Sequence, residues 1–258
     1  MRLMKRILSA AAVLALSASL LVGCSSGTAS SVPVSASSAA ESTVSSVEET
    51  ASSAVGENEA AAAQLLNDLT GSYQELWPVI LADEYKQTWL DDCTALVGED
   101  NAEAAFEKLS SMVTGDVYGE DAVKAYANGG GAYFCGFTNS LAILTFDGET
   151  STISGTDKDG NVLFSHTYHY IGMEPVRGLY EFQSDDADSG EFTYFFLAPD
   201  TSAETYHIEF RYGSDAEALS QYDTGEYAYW LASGISTDCD QTMIDNCIEL
   251  FCTENLAG

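Results

Sequence analysis

Few residues in this 258-residue chain have side chains suited to chemistry, and most of those are carboxylates. Forty Asp and Glu stand against nine Lys and Arg, with three histidines, His166, His169 and His207. Imidazole is a good ligand for zinc and other borderline divalent ions, and carboxylates extend the choice to harder ones. His166 and His169 are three apart in a stretch that reads as a strand, so they point to opposite faces. At most one of them shares a face with His207, and His169 is the favoured candidate. Glu209, two residues beyond His207, takes the same strand face, and Asp200 and Glu204 are close in sequence. A histidine-plus-carboxylate metal site is therefore one reading. A packed, hydrogen-bonded His207 without a metal is the other.

The usual catalytic patterns are absent: no G-x-x-x-x-G-K-[ST], no G-x-S-x-G and no H-E-x-x-H occurs. Asp91-Asp92 and Asp185-Asp186 fit a solvated acidic surface better than an acid–base pair. With no nucleophile arrangement either, the expectation is a binding protein and not an enzyme. The net charge of −31 argues against nucleic acid as a partner and favours cations. Of six cysteines none is spaced C-x-x-C, so a compact thiolate zinc knuckle or dithiol redox motif is not expected. Cys239, Cys247 and Cys252 lie close together near the C-terminus. A bridge from one of them to Cys93 or Cys135 is left open by the sequence.

The chain opens with Arg2, Lys5 and Arg6, then runs apolar over residues 7–22 and reaches Leu21-Val22-Gly23-Cys24. A basic head and an apolar stretch of this length make a secretory signal. The stretch is too short, and too soon followed by polar residues, to be a good membrane span. Its end resembles the bacterial lipobox. That resemblance implies cleavage after residue 23, a covalent diacylglycerol on Cys24, and a protein anchored to the extracytoplasmic face of the cell membrane. Cleavage removes Arg2, Lys5 and Arg6 and no acid, which takes the net charge from −31 to −34. Residues 24–60 then form a lipidated cysteine and a Ser/Ala/Glu-rich linker that buries too little to offset its chain entropy. Residues 61–258 are of ordinary size for one folded domain.

Three- and four-residue spacing of Leu65, Leu66, Leu69, Tyr73, Leu76 and Trp77 predicts helix over residues 61–96, interrupted at Pro78. Residues 102–112 and 120–127 read as further helices. After Gly129-Gly130-Gly131 the pattern turns to strand, with Asp147-Gly148 and Asp159-Gly160 as hairpin turns. Strands are expected over residues 133–146, 151–154, 162–171, 178–183, 191–197 and 205–212. Helices follow over 215–220 and 240–251. The fold class is α+β, mainly β: an antiparallel meander closed into a barrel, flanked by N-terminal and C-terminal helices.

Several stretches resemble the ZinT family of zinc-binding proteins. They are LNDLTGSYQELWPVIL with YKQTWLDD, EDAVKAY, HTYHYIG with VRGLYEF, and LAPDTSAETYHIEFRYGSDAEAL. The likeness runs from about Asn67 to the C-terminus. It implies a calycin-like barrel, zinc bound near one barrel mouth, and a divalent metal, and by extension an ABC metal importer, as partners. It also implies three histidine ligands, of which this chain keeps His207 alone. Phe195 stands four before Pro199, where the family has a histidine, and Thr205 stands at the first position of the His-aromatic-His triplet. Both replacements suit an apolar or neutral pocket. The alternative implied is a metal-free barrel serving as an organic-ligand or surface interaction module.

Overall fold

A computed structural model describes residues 56–198 and 207–257, which belong to one compact unit, Ser46–Gly258. Cys24 and the signal segment, most of the linker, and Pro199, Asp200, Glu204 and Thr205 lie outside the described residues.

Eight strands form a closed barrel: β1 (Gly71–Glu75), β2 (Ile143–Asp147), β3 (Thr152–Thr156), β4 (Val162–Met173), β5 (Tyr180–Ser184), β6 (Tyr194–Leu197), β7 (His207–Gly213) and β8 (Ala232–Ser236). Each is antiparallel to the next, and β8 returns to pair with β1. The helices are α1 (residues 56–68), α2 (Leu76–Ile80), α3 (Lys86–Val97), α4 (Glu99–Val113), α5 (Glu120–Ala127), α6 (Ala216–Leu219) and α7 (Gln241–Leu256). The expected barrel with flanking helices is present.

Both Asp-Gly pairs turn the chain as expected. The Asp147 carboxylate accepts the backbone N–H groups of Glu149 and Thr150, at 3.1 and 3.3 Å. The Asp157 carboxylate accepts those of Asp159 and Asn161, both at 2.9 Å, and Gly160 takes φ +81°, which favours glycine.

Three local expectations are corrected. The helix predicted over 61–96 stops at residue 68, and β1 lies inside that stretch. One apolar spacing serves two cores there. Leu69 and Tyr73 belong to the barrel interior, while Leu76, Trp77 and Ile80 belong to the layer of helices outside it. Residues 133–142 do not form the predicted strand; Phe134 makes isolated bridges to Thr114 and Trp230, and β2 starts at Ile143. Finally, β8 was not expected. Apart from Ile235 its residues are small, and both faces are buried, so it shows no alternation.

The interior of the barrel is filled by inward-facing rings and aliphatic side chains, among them Phe146, Tyr168, Phe182, Phe195, Phe210 and Tyr212. Ala62, Leu65 and Leu66 of α1 join this core beside the β2–β3 turn, where Gly148 sits against Asn67. The second core lies between the outer face of β8 and helices α2, α3, α4 and α7, around Trp77, Trp89, Ile235 and Ile248. Burying one such side chain is worth about 1.5–3 kcal/mol, so the two layers hold each other in place.

Burial also shapes the alkaline limit of the fold. The Tyr73 phenol is pushed up to about 12 by burial. Tyr222 and Tyr227 reach about 12 through burial, reinforced by Glu174 and Glu191 respectively. Free tyrosine ionises near about 10, so the unfolded chain loses these protons first. The stabilisation is whole below pH ~10 and is lost as pH rises toward ~12. Absorbance at 295 nm and far-ultraviolet circular dichroism should therefore change together in that window. Phenols that titrate near pH 10 in a folded protein would contradict this.

Candidate metal centre

Strand β7 alternates. Ile208, Phe210 and Tyr212 enter the barrel core, so His207, Glu209 and Arg211 face outward. His207 pairs with Ile235 and Glu209 with Ser233 across β8. Both side chains line a small cleft of about 30 Å³ between the barrel wall and α7. Its other walls are Leu76, Trp77 and Ile80 of α2, and Cys247, Leu250, Phe251 and Glu254 of α7. His207 and Glu209 thus share a face, as their spacing implies. The face is the outer one, beneath α7, rather than the mouth of the barrel.

The cleft is acidic. The Cys247 thiol is pushed up to about 12, first by burial and then by the neighbouring Cys239, Glu209 and Glu254. Cys135 is also pushed up to about 12, by burial and by Glu209. Negative charge here opposes thiolate formation and attracts a cation. The donor set of imidazole, carboxylates and thiol suits zinc or a similar first-row ion. Among the described residues, no three His, Cys, Asp or Glu side chains already converge as a finished metal site. An ion would have to draw them inward.

The other histidines lie elsewhere. His169 is on the outer face of β4, half-exposed, with its imidazole 2.6 Å from the Asp185 carboxylate. His166 points to the inner side, its ring near Phe164 and Tyr168, and meets Asp186 at 2.7 Å. Two strands, β5 and β6, separate β4 from β7 in the barrel order. His169 and His207 are not brought together.

Phe195 is fully buried in the barrel, with ring centroids 5.4 Å from both Tyr168 and Tyr212 and 5.9 Å from Phe164. It pairs with Tyr212 and so faces inward with it. His207 is five residues from Tyr212 and faces the other way. Cys247 and Glu254 were not singled out as partners of His207. No local spacing links α7 to β7; only the packing of α7 on the barrel does.

A larger cavity of about 350 Å³ lies nearby, lined by Glu75, Trp77, Val113, Asp116, Phe134 and Cys135 among others. Glu75 is held there by the Phe137 backbone N–H, which donates to its carboxylate at 2.6 Å.

No family model matches the chain, and no curated protein matches it. Several chains of solved structures are similar, two of them described below. One is the Zn(II)-bound ZinT-like domain of Streptococcus pneumoniae AdcA, at 15% identity and TM-score 0.45, covering 71% of this chain and 89% of that one. The other is Zn(II)-bound AdcA from Streptococcus pneumoniae, at 14% identity and TM-score 0.43, covering 72% of this chain. This chain spans about a third of that second protein, 35% of its length.

Proposed function

We propose that this chain is a lipid-anchored extracytoplasmic protein that binds a divalent metal, zinc first, and hands it toward a metal importer. The observation that carries the metal reading is the shared cleft: His207 and Glu209 from β7 face Cys247 and Glu254 from α7 around about 30 Å³. That space suits an ion with one or two waters and is too small for an organic ligand. The anchoring reading rests on the run that ends at Cys24. The importer reading rests on the sequence resemblance alone.

One set of measurements addresses metal and anchor. Wild-type protein should sediment with membranes and Cys24→Ala should not. Purified protein should melt roughly 5–10 °C higher at a hundredfold excess of zinc over Kd. His207→Ala and Glu209→Gln should each weaken zinc at least about tenfold, which is about 1.4 kcal/mol. A wild type that shows no zinc-dependent shift, or variants that bind zinc as tightly, would overturn the metal site. Wild-type protein in the soluble fraction would overturn the anchor alone.

A second reading, an organic-ligand module, is favoured by the cavity of about 350 Å³ outside the barrel, which is in the range of small-molecule sites. Native mass spectrometry of protein taken from cells would reveal such a ligand. A mass equal to that of the chain and its lipid, with or without zinc, would exclude it.

A further inference from the structure

Cys93 of α3 and Cys252 of α7 are 159 residues apart in sequence, yet their Sγ atoms stand 3.9 Å apart. Both are fully buried in the same cluster as Trp89 and Ile248, in the layer of helices outside the barrel. A disulfide needs about 2.05 Å, so the gap closes by about 1.9 Å, a movement that two side-chain rotations can share. We propose that Cys93 and Cys252 form a disulfide that ties α7, the outer wall of the His207 cleft, to α3.

The chemistry is thiol–disulfide exchange. One cysteine thiolate attacks a sulfur of an external disulfide, a small-molecule disulfide or that of an oxidoreductase, and expels one thiolate. The second cysteine attacks the resulting mixed disulfide and expels the other thiolate. The two protein thiols lose two electrons and two protons, and the external disulfide is reduced to two thiols. The step belongs to folding. Once α7 has docked, burial holds both thiols protonated and out of reach of the oxidant.

Cys135, Cys239 and Cys247 remain as thiols. Cys252 is favoured as the partner because its sulfur, near the end of α7, stands in contact with that of Cys93. The bond closes a long loop, so its effect on the unfolded chain is near the upper end of what disulfides do.

The test is refolding of the purified, reduced protein in a glutathione redox buffer, followed by alkylation and peptide mass mapping. The expected product is a linked Cys93–Cys252 peptide pair, with Cys135, Cys239 and Cys247 alkylated. Protein refolded with reductant throughout should melt roughly 5–15 °C below the linked protein, and equally so in Cys239→Ala, which keeps the pair. Recovery of Cys93 and Cys252 as alkylated thiols, or linkage of either to another cysteine, overturns the proposal. So does an equal melting temperature for the linked protein and for protein refolded with reductant throughout. The use of a redox buffer makes the result independent of the membrane anchor, and no metal is involved.

Discussion

Replacing Arg211 by methionine is expected to cost about 2–4 kcal/mol and to lower the melting temperature by roughly 10 °C. Arg211 is fully buried on the outer face of β7. Its guanidinium donates to the carbonyls of Leu219, Gln221 and Tyr227 and stands 4.4 Å from the centre of the Tyr222 ring. None of these partners is a carboxylate. Carbonyl dipoles and the face of an aromatic ring hold the charge, and burial lowers the guanidinium pKa. Methionine keeps most of the stem and removes the cost of burying a charge. It also strands three carbonyls that the fold has turned inward, and a buried unpaired group costs about 1–3 kcal/mol. The stranded groups outweigh the saving.

The damage should be local. The three carbonyls belong to α6 and the segment that follows it, which delivers Tyr227 and Trp230 to the barrel core. Hydrogen exchange should accelerate most over residues 219–231, ahead of β2–β5. Arg211→Lys should recover less than half of the loss, because an ammonium cannot span three carbonyls in one plane. A loss below about 1 kcal/mol for methionine would mean that desolvation of the charge cancels what it satisfies.

Phe195→His is expected to destabilise the barrel by about 2–4 kcal/mol and to leave zinc affinity within about twofold of wild type. The substitution restores the histidine that the ZinT resemblance implies. In this fold it puts an imidazole among the rings of Phe164, Tyr168, Phe210 and Tyr212. Its nitrogens would have to find partners in an aromatic core, or go without. The cost should grow as pH falls below about 6.5, since the unfolded chain then takes up a proton that the buried ring resists. His207 faces the opposite side of the barrel wall, so the two imidazoles do not converge. Denaturant titration and zinc calorimetry on one preparation check both halves. A tenfold gain in zinc affinity would place His207 inside the barrel and remove the outer cleft from consideration.

Much of the barrel was legible because its signals are local. The turns at 147–150 and 157–161 are each held by one carboxylate, of Asp147 or Asp157, that accepts nearby backbone N–H groups. The alternation through β4 follows from one wet and one buried face. The two strands that close the barrel were not legible. In β1, a helical spacing covers a five-residue strand, because consecutive apolar residues there serve two cores. In β8, Gly234 is pressed by Ile208 and Phe137, which favours a residue without a side chain there, and the strand is buried on both faces, so it carries no alternating pattern.

The candidate site divides in the same way. Residue type and spacing by themselves determined that His207 and Glu209 share a strand face, that His166 and His169 do not, and that no familiar catalytic motif is present. Only the tertiary structure decided that this face lies outside the barrel, and that Cys247 and Glu254 stand across from it. It also decided that His169 belongs with Asp185 and that Cys93 meets Cys252. The physical reason is range. A strand's period sets which side chains share a face, but which face meets α7 depends on closing the sheet through β1 and β8. That closure is settled by packing among residues far apart in the chain.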